Sequence, residues 1–404
     1  SNITGSSISN LTIQNFSGAN GNSNAGIYAV GQNNSTIIDN VALINNTNGS
    51  GFYANGPVNG ITINGSMVIG HTVGARGIVI WNGFKENITI TNNMVTNNNC
   101  CGIELQDGTA SAVNISGNII DIGVGDNAIA ALGLNSLTDT NTISNNIITG
   151  GGRFGIEIKN PNGGVTVAGN NVTLSTQNGD MRDRAGIAIM RRDFTPGNPA
   201  GYADIPNGVT ITGNTITGYQ QTSGEEGFGI VIEGTNHVVS GNTLNGNEVG
   251  IQIQGGGHAN PNYVANNSGS GDQAVGQSPN YFGRGNAPTI CESDLGMNNF
   301  SGNGIDVRLV TGAELSTDIS YIQNRIEGGI HNITLNTYHC FIQDAIDQAA
   351  TGNIIEILPT SYVEPGQIVV NKNLTLKGQG KLITTLKPGI NTGSSGDSRG
   401  FILV

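Results

Sequence analysis

One phrase of nine residues, Val209-Thr-Ile-Thr-Gly-Asn-Thr-Ile-Thr217, leaves the chain few folds to adopt. It returns as Asn87-Ile-Thr-Ile-Thr-Asn-Asn-Met-Val95, Val113-Asn-Ile-Ser-Gly-Asn-Ile-Ile120 and Thr142-Ile-Ser-Asn-Asn-Ile-Ile148. Two further copies are Val165-Thr-Val-Ala-Gly-Asn-Asn-Val172 and His237-Val-Val-Ser-Gly-Asn-Thr-Leu244. Each is a short β-branched strand, a Gly-Asn or Asn-Asn bend, and a second short strand. A second phrase alternates with the first: Gly77-Ile-Val-Ile80, Gly102-Ile-Glu-Leu105, Gly155-Ile-Glu-Ile158, Gly186-Ile-Ala-Ile189, Gly229-Ile-Val-Ile232 and Gly250-Ile-Gln-Ile253. Gly77 and Gly102 are 25 residues apart, and Gly229 and Gly250 are 21 apart. A repeat of roughly 25 residues marks a solenoid.

Strand side chains point alternately in and out, so in Ile-Thr-Ile-Thr the isoleucines face the core and the threonines face water. Asn and Gly tolerate left-handed backbone angles and allow sharp bends. A turn of about 25 residues is too short for a helix-covered crossover. It closes as two or three strands around a narrow core, and stacked turns pair in parallel about 4.8 Å apart. Asparagines at the bends are expected to stack into hydrogen-bonded ladders. The fold class read from this pattern is all-β, a parallel β-helix. It resembles the right-handed, pectin-lyase-like superfamily over most of the chain, a likeness that speaks to fold more than to function.

Composition agrees with a narrow-cored coil: 63 of 404 residues are Gly and only 11% are charged. About 16 turns extending some 75 Å would account for the length. A net charge of −12 disfavours nucleic acid and anionic membranes as partners. No apolar run approaches the ~20 residues of a membrane-spanning helix. Of the four cysteines, Cys100 and Cys101 are neighbours, so one is expected to point in and one out. Cys291 and Cys340 are the candidates for a disulfide, as in extracellular proteins. No cysteine spacing suggests zinc, and no cofactor or metal is expected.

Residues 1–310 read as β-helix turns, with an irregular closing segment at 268–300. There Pro279-Asn-Tyr-Phe-Gly283 resembles the closing phrase of many secreted bacterial β-helix repeats. Residues 311–339 read as a connector, with two strand-like runs between Thr317 and Thr337. Over 340–404 the pattern changes. Phe341, Ile342, Ala345, Ile346 and Ala349 have helical spacing, which predicts a short amphipathic helix near 341–350. Strands at Ile354–Ile357, Ser361–Val363 and Leu374–Leu376 should follow. This resembles the opening of pectinesterase-like β-helices, where a helix lids the first turn of the coil. Gly400-Phe-Ile-Leu-Val404 has the form of the Gly-Ile phrase, and Ser1 to Ile13 supplies the bend and strand that come after it. The chain is therefore read as one period of a tandem array.

Enzymes of the resembled superfamily carry carboxylates on one outer face of the coil. Their Asn-Thr-Asp, Asp-Asp, Gly-His-Gly and Arg-Ile-Lys blocks are missing. Two weaker constellations remain. One is the outward column of the Gly-Ile phrases, with Glu104, Gln106, Glu157, Lys159, Glu233, Gln252 and Gln254. Glu104 and Glu157 should stand about 9.6 Å apart, two rungs of the stack, near the spacing of inverting glycosidases. A solvated face is the plainer expectation. The other is a charge island: Asp180, Arg182, Asp183, Arg184, Arg191, Arg192 and Asp193, read as a surface ion-pair network or a contact patch. Trp81, the one tryptophan, is either a sugar platform or part of an apolar patch. The catalytic candidates are thus Glu104, Glu157, Asp183 and Arg184. The contact-patch candidates are Trp81, Arg182, Arg184, Arg191 and Arg192.

The favoured function is a structural or adhesive module of a long extracellular β-helical surface protein or filament. Large tandem β-helix surface proteins of gliding and predatory bacteria look similar, including those that form attachment fibres. The expected partners are copies of the chain itself, end to end in one array or as stacked subunits, or side by side. A glycan or cell-surface ligand is the further candidate. The alternative is a polysaccharide lyase or glycoside hydrolase acting on acidic glycans.

Overall fold

A computed structural model describes the chain apart from residues 1–4, 17–23, 31–33, 73–75, 124, 135–139, 151, 175–182, 191–205, 221–225, 235–236, 256–294, 312–314, 340, 359, 365 and 390–399. Cys291, Cys340, Arg182, Arg191 and Arg192 thus lie outside the described residues.

Each turn of the solenoid lays down three short strands. In the turn that holds the nine-residue phrase they are Asn207–Thr212, Thr215–Thr217 and Gly227–Glu233. Successive turns stack these into three sheets, with nine, ten and eleven strands among the described residues. Pairing between turns is parallel and in register. Ile88 lies between Ile61 and Val113 in the first sheet, and Val95 lies between Val68 and Ile120 in the second. In the third, Ile156 lies between Ile129 and Ile187. These columns point inward, and all of these residues are buried. Burying an Ile or Val side chain contributes about 1.5–3 kcal/mol, and here the contribution recurs on every rung.

The bend between the first two sheets explains the Gly-Asn and Asn-Asn pairs. Its first residue has left-handed backbone angles, with φ of 55° at Asn92, 66° at Gly117, 53° at Asn145 and 64° at Gly213. Gly has no Cβ to clash there, and Asn is the side chain that best tolerates it. The second residue turns its amide inward. Asn93, Asn118, Asn146, Asn170, Asn214, Asn242 and Asn298 form one continuous ladder. Each Nδ2 donates to the Oδ1 of the next at 2.9–3.0 Å. Each amide also donates to a main-chain carbonyl of the preceding rung, as Asn146 does to Ile115 at 3.0 Å. The expected ladder is present, and it satisfies buried polar groups that would otherwise be costly.

The Gly of the Gly-Ile phrase sits at the corner where the coil enters its third sheet. A Cβ on Gly229 would lie 2.6 Å from the Gly250 carbonyl oxygen and 2.7 Å from Leu244. At Gly77 it would meet the Gly102 carbonyl oxygen at 2.6 Å. Gly therefore recurs here because the rungs approach too closely for a side chain.

Between Thr317 and Thr337 the structure differs from the expected pair of strands. Helix α1, Ile319–Glu327, takes the place of one run, while Ile330–Asn332 is a strand. Asp318 caps it, accepting from Ser320 N and Tyr321 N, and Ile322 and Ile326 pack into the core of the coil. Capping and helical apolar spacing outweigh the β-leaning Ser-Tyr-Ile sequence. Helix α2, Ile342–Gln348, follows. Its residues Ile342, Ala345 and Ile346 share a separate core with Ile330, Ile355, Ile357, Tyr362 and Ile368. Strands Ile354–Ile357, Thr360–Glu364 and Ile368–Val369 pair in parallel with Thr375–Gly378, Thr384–Pro388 and Ile402–Leu403. This is again three strands per turn.

The second stack grips α2 at both ends. The Glu364 carboxylate accepts from Ile342 N at 2.9 Å, and burial raises its pKa. Lys372 Nζ donates to the carbonyls of Ile346, Asp347 and Ala349 at 2.7–2.8 Å. An anion at the helix N-terminus and a cation at its C-terminus suit the exposed peptide groups there.

Candidate functional site

The outward side chains of the third sheet fall into columns. One runs Tyr28, Tyr53, Val79, Glu104, Ala130, Glu157, Ala188, Val231, Gln252 and Arg308. Glu104 and Glu157 are thus two rungs apart, with Ala130 between them. Asn55, Trp81 and Gln106 share a neighbouring column, as do Lys159 and Met190, and Glu233 and Gln254. Most of the sequence-derived candidates therefore meet on one face.

Tyr28, at the start of the column, is exposed, but from Tyr53 to Arg308 the column is buried, which corrects the plainer expectation. Glu104 is 2% exposed and Glu157 and Lys159 are 1% exposed, while Glu233, Gln252 and Gln254 are fully buried. Apolar neighbours share the burial: Phe154, Ala188, Met190, Phe228, Val231 and Val249 form a second hydrophobic cluster on the outside of the sheet. Threonine-free outward positions of this kind exclude water as a core does.

Charges in such a setting must be paired. Glu104 accepts from Arg76 Nε and, at 3.2 Å, from Gln106 Nε2. Arg76 also lies over the Trp81 ring, 5.1 Å from its centroid. Glu157 Oε2 receives Lys159 Nζ at 3.0 Å and Asn127 Nδ2 at 2.8 Å. Further along, Gln254 donates to Glu233, Gln252 donates to Gln254, and Arg308 Nε donates to Gln252, at 2.6–2.7 Å. Arg308 also grips Glu226 with two bonds of 2.8 and 2.6 Å. Beside Tyr28, burial raises the pKa of Tyr53, and the two rings stack 5.4 Å apart.

The described members of the charge island do not lie at the surface. Asp183 is 7% exposed and Arg184 1%. Asp183 Oδ1 accepts from Glu226 N at 2.9 Å, and Arg184 N donates to the Glu226 carbonyl at 3.0 Å. The corner of the third sheet holds them, because Arg184 opens the strand Arg184–Met190.

Arg76, Asn127, Glu226 and Arg308 were not singled out by the sequence. Arg76 and Asn127 stand just before the Gly-Ile position of their rungs, aligned with Cys101 and Phe154. Reading that position as a column of its own is the signal that would have found them.

The cavity beside Arg153, Asp183, Arg184 and Phe228 holds about 10 Å³, room for about one water. A surface groove of about 630 Å³ crosses the first sheet at Asn114, Ser116, Thr142 and Ser144, and no titratable side chain lines it. Comparison of the chain with family models, curated proteins and solved structures gives no match.

Proposed function

We propose that the chain is a structural module of a long extracellular β-solenoid, a surface protein or fibre in which coils follow one another. The observation that carries this reading is the succession of two coils in one chain. After the first core ends against α1, a second three-sided stack begins under α2. The carboxylates best placed for catalysis, Glu104 and Glu157, are engaged in buried pairs, which supports a scaffold over a lyase or hydrolase. In this proposal the partners are further copies of the coil, joined covalently or stacked end to end, and the location is the cell surface.

The test has two arms. Small-angle scattering of the purified chain should fit a rod rather than a sphere, and antibodies to it should label intact source cells. Incubation with pectins and alginates should release no oligosaccharide. Turnover that disappears in Glu157→Gln or Arg184→Ala would replace the scaffold with an enzyme, and labelling confined to broken cells would remove the surface assignment.

A further inference from the structure

Cys100 and Cys101 were expected on opposite sides of a strand, yet the structure joins them in a disulfide between adjacent residues. The corner geometry accounts for the outward position of Cys101. Gly102 and Ile103 both face inward, since a Cβ on Gly102 would meet Ile120 and the Ala128 carbonyl. Alternation is therefore broken there, and Cys101 takes an outward position aligned with Arg76. Cys101 is 1% exposed and Cys100 is half-buried. Both sulfurs and a carboxylate oxygen of Glu104 lie within 4.8 Å of one another.

A disulfide ordinarily stabilises a fold by shortening the unfolded chain, and the effect grows with the loop that it closes. A bridge between neighbours closes no loop, so a role as a staple gains nothing from this placement. What the bridge does control is whether two sulfurs are available beside a buried carboxylate. We propose that Cys100, Cys101 and Glu104 form a redox-gated site for a soft divalent cation such as zinc. This role goes beyond the scaffold reading and does not depend on it.

Opening the site takes a dithiol reductant, which delivers two electrons and two protons. The S–S bond breaks, and the reductant leaves as its own disulfide. The divalent cation then displaces the two thiol protons to solvent. It gains two metal–sulfur bonds and one metal–oxygen bond to Glu104, and water takes the fourth position. Two thiolates and a carboxylate leave one excess negative charge on the complex. Arg76, already bonded to Glu104, is the adjacent compensating cation. Thiolate ligands favour zinc or cadmium over calcium or magnesium. An oxidising compartment keeps the site closed, and a reducing one opens it. Trp81 is a built-in reporter, because Arg76 touches both its ring and Glu104.

The experiment uses the full chain and cadmium alone as the probe. Alkylation without reduction should leave Cys100 and Cys101 unlabelled by mass spectrometry. After reduction and removal of the reductant, cadmium should produce thiolate-to-metal absorption and shift Trp81 emission. Cys100→Ser/Cys101→Ser should lose the part of the absorption due to this pair, whatever Cys291 and Cys340 contribute to both proteins. Glu104→Gln should keep the absorption but bind at least about tenfold more weakly. Melting curves of the oxidised proteins check that each variant folds. Equal cadmium absorption in the reduced wild type and the double serine variant would overturn the proposal, as would alkylation of both cysteines before reduction.

Discussion

Two faces of the same strands are closed to water over most of the coil, and they are built on opposite rules. Inside the coil the rungs meet similar surroundings, so Ile and Val repeat, and from Asn93 to Asn298 an asparagine completes the bend on successive rungs. Outside the third sheet the residue type changes along most of the column, although Tyr28 and Tyr53 stand on adjacent rungs. Glu104 is followed by Ala130, then Glu157, then Ala188; Glu104 and Glu157 find partners on their own or an adjacent rung, while Arg308 reaches two rungs to Glu226. The inner face shows that repetition follows from a repeating environment. The outer face shows that burial alone does not impose it.

The largest expected effect breaks the inner rule. Gly229→Val would drive a side chain into the Gly250 carbonyl and Leu244. Stability should fall by about 4 kcal/mol or more, in the range reserved for severe core disruption, measured as the loss of denaturant midpoint. Next is the outer face. Lys159→Met removes the Lys159 cation from the buried Glu157 and should cost about 3–5 kcal/mol. Adding Glu157→Gln should recover much of that loss. If the double variant is as unstable as the sum of the two singles, the pair is not a coupled unit.

A pH titration probes the inner face again. His237 is fully buried, and burial lowers its pKa from 6.5 to about 4. The fold keeps it neutral while the unfolded chain takes up the proton. Stability is therefore complete above about pH 6.5 and falls as the pH drops towards 4, by up to about 3 kcal/mol. His237 Nδ1 accepts from Val209 N at 3.2 Å, as Asn141 Oδ1 accepts from Val113 N at 3.2 Å. His237→Asn should thus remain folded and lose this part of the pH slope, read from urea midpoints at several pH values. Asn146→Ala should cost about 2 kcal/mol through lost bonds and the unsatisfied groups around it. The smallest effect belongs to the second sheet's outward column, where Met67, Met94, Ile119 and Ile147 are each 39–48% exposed. Met94→Thr should change stability by no more than about 0.5 kcal/mol, and a larger loss would mean that this column is also covered.

The coil was legible because its determinants are local and repeated. Ile-Thr-Ile gives the alternation, Gly213 or Asn92 gives the left-handed bend, and Asn214 or Asn93 gives the ladder. The site was legible only as a column. Its occupants could be placed on one face, but their burial depends on the whole chain around that face, which follows no repeat. Helix α1 left a readable signal in Asp318, Ile322 and Ile326, overshadowed by the strand grammar on either side. The outward position of Cys101 depends on the break in alternation at Gly102, and simple in–out counting passes over such a break.

The amide ladder has a mechanical consequence. Asn146 donates backwards to Ile115 and forwards to Asn170, while its Oδ1 accepts from the backbone and side chain of Asn118. One residue thus ties together three consecutive rungs, and the next asparagine ties an overlapping set. Tension along the axis cannot peel away a single rung without releasing bonds on both sides of it. A coil pulled from its ends should therefore resist extension up to a threshold and then yield several rungs at once, shedding length in coarse steps.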